Sequence, residues 1–225
     1  MEAQKVLVYL DEGVDPLAAR RVVRRLRKSL THSCVKLINR THFLKSNWDE
    51  QVSLLVIPGG QDIPYDRALK GEANARIRTY VEQGGSYFGI CAGAYYAAAE
   101  IEFEKGGTYE VCEKRELAFF PKKAIGPAYE KNLFCYGSDA GVRIAQVSWK
   151  DGITPVYFNG GCYFDECDSC EVIARFHDFD AQPPAVVRCR VGDGIALLCG
   201  LHPEYPQDDP SNQAFWDYLL LQATQ

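Results

Sequence analysis

Cys91 stands in the segment Gly89-Ile90-Cys91-Ala92-Gly93, between an apolar run and a stretch of small residues. A nucleophile on a sharp strand-to-helix turn is exposed above the sheet, and flanking glycines permit the strained backbone. A helix behind Cys91 would point its N-terminus at the sulfur, which favours the anion. Taken alone, this spacing also fits a buried structural cysteine. His202-Pro203-Glu204 changes that reading. A cysteine nucleophile needs a base, and the base needs a carboxylate to fix its tautomer. The chain has only four histidines, and one of them stands two residues before Glu204, just past Cys199-Gly200. Pro58-Gly59-Gly60 completes the set. Glycine backbone at a strand end can turn its N–H groups toward a developing oxyanion, beside the N–H of Ala92.

These residues need elements to place them. Val6–Leu10 is a continuous apolar run and reads as a strand buried on both faces. Asp15 with Pro16 opens a helix reaching about Leu30. Strands follow at Val35–Ile38, Leu54–Ile57 and Ser86–Ile90, with a helix over Asn74–Gln83 stopped by Gly84-Gly85. Ala92–Ala99 reads as a helix. Alternation of this kind predicts a doubly wound, mainly parallel α/β sheet of the flavodoxin-like type, whose ligands bind beyond the carboxyl ends of the strands. Past Ile101 the pattern turns β-rich, with pieces at Leu117–Phe120, Val142–Val147 and Pro155–Phe158. Ala185–Val191 and Ile195–Cys199 form a hairpin around Gly192-Asp193-Gly194. Asp209-Pro210 opens the last helix. Residues 1–225 are expected to form a single domain.

Composition narrows the classes. Apolar residues make up 47% of the 225, enough for a large core, with no run long enough to span a bilayer. The start of the chain lacks the features of a signal peptide, so a cytoplasmic location is expected, with its nine cysteines reduced. A net charge of −5 offers nucleic acid no general attraction. The basic run Arg20–Lys28 reads as the solvated side of an amphipathic helix, with Ala18, Val22 and Leu26 inward and Arg20, Arg24 and Arg27 outward. Cys162, Cys167 and Cys170, with His177 nearby, contain one Cys-x-x-Cys pair. The second pair of a zinc site is missing, so neither a metal nor another cofactor is expected.

The order Pro-Gly-Gly, Gly-x-Cys-x-Gly, His-Pro-Glu resembles the class I glutamine-amidotransferase superfamily. The resemblance implies Cys91 as nucleophile, His202 as base, Glu204 as its orienter, and Gly60 and Ala92 as oxyanion donors. A closer resemblance runs through Val8–Val14, Gly89–Tyr96 and Tyr157–Cys162 and covers nearly the whole chain. It is to the N-terminal domain of eukaryotic-type biotin–protein ligases. Substrate contacts are then expected from Gly59, Tyr95, Asn159, Gly160 and Glu12, with Tyr95 and Tyr96 as pocket walls. Glutamine amidotransferases usually carry Gln where Tyr95 stands, which counts against glutamine as the substrate. The sequence shows no adenylate-binding loop of the ligase kind, and the chain is not expected to attach biotin by itself. A small-molecule substrate or ligand is the expected partner, with a partner enzyme or a homodimer as further candidates.

Overall fold

The computed structural model describes residues 4–45, 47–129, 133–135, 137–205 and 210–224. Asp209 and the first three residues lie outside these. The first half runs β1 (Lys5–Tyr9), α1 (Pro16–Ser29), β2 (Cys34–Ile38), α2 (Arg40–Phe43), β3 (Val52–Ile57), α3 (Asp62–Leu69), α4 (Glu72–Glu82), β4 (Ser86–Ile90) and α5 (Ala92–Tyr96). The second half adds β5 (Ala98–Phe103), β6 (Val111–Lys114), β7 (Phe120–Gly126), β8 (Arg143–Trp149), β9 (Gly152–Phe158) and β10 (Tyr163–Phe164). It closes with β11 (Cys170–Phe176), β12 (Pro184–Val191), β13 (Gly194–Cys199) and α6 (Pro210–Thr224).

Nine strands form one sheet in the order β2-β1-β3-β4-β13-β12-β11-β8-β9. From β2 to β13 the neighbours are parallel; from β13 to β9 they are antiparallel. The short loop Gly192-Asp193 joins β12 to β13, with Val191 paired to Gly194. Helices cover both faces of the inner parallel strands, which is why β1 is apolar after Lys5 and β3 from Leu54 to Ile57, while the edge strand β2 exposes Cys34, Lys36 and Leu37. Val6 and Val8 of β1 pack with Val22 and Leu26 of α1 and Trp216 and Leu219 of α6. Leu7 and Tyr9 pack on the opposite face, with Tyr65 of α3 and Ile77 of α4. The start of α1 is set as expected: the Asp15 carboxylate accepts from Leu17 N–H at 2.8 Å, and Pro16 needs no acceptor.

Two local expectations are corrected. The helix after Cys91 is not Ala92–Ala99; it ends at Tyr96, and Ala98 begins β5. The carbonyls of Ala97 and Ala99 are taken by Phe119, Phe120 and Arg115 N–H groups, so pairing across the second sheet overrides the helical preference of alanine. That sheet is four-stranded, β10-β7-β5-β6. The strand expected over Leu117–Phe120 begins only at Phe120, because Ala118 turns the chain at φ 43°.

Candidate active site

Cys91 directly follows β4 as the N-cap of α5, with φ 49° and ψ −106°. Its N–H donates to Cys199 O of the neighbouring β13 at 2.8 Å. The flanking glycines make this turn possible by contact as well as by conformation. A Cβ on Gly93 would lie 2.0 Å from Ile57 O, and one on Gly89 would lie 2.4 Å from Gly93 O. The sulfur lies 3.8 Å from Asn159 O.

The strand next to β4 delivers the histidine. His202 follows β13, and its N–H donates to Tyr157 O at 3.0 Å. Its Nδ1 stands 2.8 Å from Oε1 of Glu204. Both side chains are buried, Glu204 completely. Burial works against the imidazolium, but the charges of Cys91 and Glu204 and the Glu204 hydrogen bond outweigh it, and the His202 pKa is raised well above its ordinary value. Tyr157 and Tyr205 stack at 4.2 Å and both stand nearly perpendicular to the imidazole. Arg21 lies over the Tyr205 ring at 4.1 Å.

Gly59 and Gly60 do different things. A Cβ on Gly59 would come 2.6 Å from His202 Cε1 and 3.5 Å from Cys91 Cβ, so its bare backbone lets the pair sit together. Gly60 has φ 151°, where a Cβ would strike Gly13 O. The backbone bonds around it run from Asp15 to Gly59 O and from Gln61 to Gly13 O, and neither uses Gly60 N–H. Ala92 N–H, first in α5, has no intrahelical acceptor. Gly60 and Ala92 both line a small pocket against Cys91, with Tyr95 and Gly160. Tyr95 donates its hydroxyl to Gly160 O at 3.2 Å.

A wider cleft of ≈ 860 Å³ opens above, bounded by Glu12, Arg21, Tyr157, Asn159, His202 and others. Glu12 is exposed on its outer wall. Tyr96 corrects the expectation of a pocket wall. One residue further round the helical turn than Tyr95, it is fully buried, donates to Asn74 Oδ1 and packs edge-on against Tyr65.

The sequence reading missed several supports. Arg20, Arg24 and Arg27 are exposed as expected, but Arg25 is buried. It donates to Pro203 O at 2.9 Å and to Asn212 Oδ1 at 2.5 Å, tying α1 and α6 to the His202–Glu204 loop. Its place between Val22 and Leu26 on the inner face was the available signal. Asp62 and Arg115, an ion pair at 2.6 Å, were also missed.

The cysteines away from the site are free. Cys162 is buried, and burial pushes its thiol up. Cys167 and Cys170 have their sulfurs 3.3 Å apart. Hydrogen bonds from Cys189 first, then Cys167 and Ser169, hold the Cys170 thiol down to about 6. His177 is exposed. Among the described residues no group of three or more His, Cys, Asp or Glu side chains is arranged to hold a metal ion. None of their helices is long and apolar enough to cross a membrane.

The family model of the biotin-protein ligase N-terminal region matches residues 4–218. The chain belongs to this family. An uncharacterized protein of Chlamydia muridarum is 39% identical over 213 residues, covering 91% of this chain and 82% of that protein. The biotin–protein ligase of Schizosaccharomyces pombe is 31% identical over 212 residues, 89% of this chain but 33% of the ligase. The chain thus spans about a third of that ligase's length. Among solved structures, a glutamine amidotransferase superposes with a TM-score of 0.67 at 22% identity, covering 96% of this chain and 98% of that one. PurLQS from Thermotoga maritima superposes at 0.63 with 13% identity, covering 97% and 99%. These likenesses show the glutamine-amidotransferase-like fold.

Proposed function

We propose that the chain is a cysteine-nucleophile hydrolase or acyl/amido transferase acting on a small polar carbonyl or amide compound. The observation that carries this reading is the alignment of three groups. Cys91 is held on a strained elbow, the His202 imidazole lies with it against Gly59, and the buried Glu204 stands 2.8 Å from its Nδ1.

His202 takes the proton of Cys91 and the thiolate attacks the carbonyl carbon; a C–S bond forms and the carbonyl π electrons move to oxygen. Gly60 and Ala92 N–H receive that oxyanion. His202 passes a proton to the leaving nitrogen or oxygen as its bond to carbon breaks, leaving a thioester on Cys91. Water or an acceptor amine then gives a proton to His202 and attacks the same carbon, and the C–S bond breaks. Glu204 keeps its charge and holds the ring in place.

A second reading has its own support. The same family region occupies part of a protein named for a different activity, and the Tyr95 hydroxyl is already committed to Gly160 O. In that reading the cleft binds a metabolite or regulates a partner enzyme, and Cys91 turns nothing over. Incubation with a panel of small amides and esters, followed by intact-mass measurement, separates the two. The enzymatic reading predicts an acyl adduct on Cys91 and loss of turnover by at least about a thousandfold in Cys91→Ala. Full turnover in Cys91→Ala ends it. A ligand that raises the melting temperature with no adduct and no turnover favours the binding module.

A further inference from the structure

Cys167, Cys170 and Cys189 gather where the two sheets meet, and none of them lines the pocket or the cleft at Cys91. β10 of the second sheet ends at Phe164, and Cys170 begins β11 of the large one. Between them Cys167 and Cys170 form the two ends of a turn. The Cys170 N–H donates to Cys167 O at 3.1 Å, and the two sulfurs are 3.3 Å apart. A hydrogen-bonded turn keeps its end Cα atoms within about 7 Å, and a disulfide spans about 4.4–6.8 Å, so little backbone movement is needed to join the pair. Cys189 stands opposite Cys170 in the β11–β12 register and is buried in the core. Ser169 Oγ lies 3.2 Å from the Cys167 sulfur and 4.0 Å from that of Cys170.

The three thiols are unequal. Cys170 is half-buried, whereas Cys167 and Cys189 are buried. Cys189 first, then Cys167 and Ser169, hold the Cys170 thiol down to about 6 against the opposing effect of burial. Cys189 is pushed the other way, by its pairing with Cys170 first and by burial second, and keeps its proton. The most anionic sulfur of the three is therefore also the one most open to solvent, and a second sulfur stands at its side. That is the arrangement of an attacking thiol with a resolving one. A low-pKa thiol with no neighbour stops at the sulfenic acid or is driven on to irreversible oxides; a neighbouring thiol diverts it to a reversible disulfide. Among the described residues these side chains do not make a group arranged to hold a metal ion.

We propose that Cys170 and Cys167 form a redox-modification site whose co-reactant is a hydroperoxide and whose product is a disulfide across the turn between β10 and β11. The Cys170 thiolate attacks the terminal oxygen of the hydroperoxide. An S–O bond forms, the O–O bond breaks, and the departing alkoxide takes a proton from water. The Cys170 sulfur is oxidised by two electrons to the sulfenic acid, and the hydroperoxide is reduced to an alcohol. Cys167 then gives up its proton and attacks the Cys170 sulfur. An S–S bond forms, the S–O bond breaks, and the hydroxide leaves with that proton as water. A dithiol reductant restores both thiols by exchange. The site does not depend on Cys91 being a nucleophile.

In the test, the full chain is reduced, freed of reductant and treated at about pH 6 with tert-butyl hydroperoxide. N-ethylmaleimide then blocks the remaining thiols, and unreduced peptides are mapped by mass. At that pH about half of Cys170 is thiolate, against about 0.3% of a thiol at the ordinary value of about 8.5. The weaker base is the weaker nucleophile, which offsets part of this gain and leaves about tenfold. The peptide linking Cys167 to Cys170 is therefore expected to form about tenfold faster than the exposed Cys34 and Cys112 are oxidised. In Cys167→Ser the sulfenic acid of Cys170 is expected to accumulate and to be captured by dimedone. In Cys170→Ser the oxidation of Cys167 is expected to fall to the rate of Cys34. A wild-type link that forms no faster than Cys34 is oxidised overturns the proposal without need of any variant. So does a link from Cys170 to Cys189 in place of Cys167, and so does a folded Cys167→Ser protein whose Cys170 takes up no dimedone.

Discussion

Cys91 is held at φ 49°, a left-handed conformation that costs a residue with a side chain on the order of 1–3 kcal/mol. The turn persists because Gly89 and Gly93 pack too closely for side chains and because Cys199 O accepts from the Cys91 N–H. The glycine spacing around Cys91 was legible in sequence, as were the His202-x-Glu204 pairing and the small residues at 59 and 60. The steric role of Gly59 was not, since nothing local to Pro58-Gly59-Gly60 says that an imidazole from residue 202 lies against it. Gly59→Ala should therefore fold yet displace His202. A drop of about a hundredfold in Cys91 alkylation or in turnover is expected; unchanged rates would mean that the ring has room to spare. His202 gives a second prediction at this scale. Its folded pKa is raised, so its contribution to stability is complete below the unfolded value of about 6.5 and fades as pH climbs through the folded one. Urea unfolding from about pH 6 to about pH 10 should show wild-type stability falling more steeply than that of His202→Asn. Parallel curves would show that the imidazolium is not held as described.

The elements that place these groups were read with uneven success. Strands β4 and β13 announced themselves as apolar runs, and they are parallel neighbours, so Cys91 and His202 emerge side by side from adjacent strand ends. β5 was hidden because Ala97–Ala99 looks helical and only its partners in the second sheet make it a strand. α3, Asp62–Leu69, was not read from the sequence; its Pro64 stands in the first turn, where proline is tolerated. Helix α1 carries a prediction of its own. Arg25 reaches from its inner face to Pro203 O, so α1 fixes the loop that holds Glu204. Arg25→Met would leave that carbonyl and Asn212 without their donor. Destabilisation of about 1–3 kcal/mol in urea is expected, together with slower Cys91 alkylation. A variant as stable and as reactive as wild type would place the support of the loop elsewhere.

At the scale of the molecule, the site lies beyond the carboxyl ends of the parallel strands, where a doubly wound sheet gathers its ligands. The continuous apolar strands made that half predictable. In the antiparallel half the β12–β13 hairpin and the strands β8 and β9 were legible, but the order β13-β12-β11-β8-β9 was not, since it depends on long-range pairing that local pattern does not encode. Phe103 of β5 closes the Cys91 pocket, so the second sheet is part of the site as well as of the scaffold. In the proposed reading β4, β13 and the loop after it together make Cys91 a nucleophile through His202. The direct test is alkylation with iodoacetamide at about pH 6, mapped by peptide because Cys170 is a second low-pH thiol. Cys91 is expected to react faster than the exposed Cys34, and His202→Ala to abolish that advantage. Equal rates at Cys91 and Cys34, or an advantage that survives the loss of His202, would contradict it.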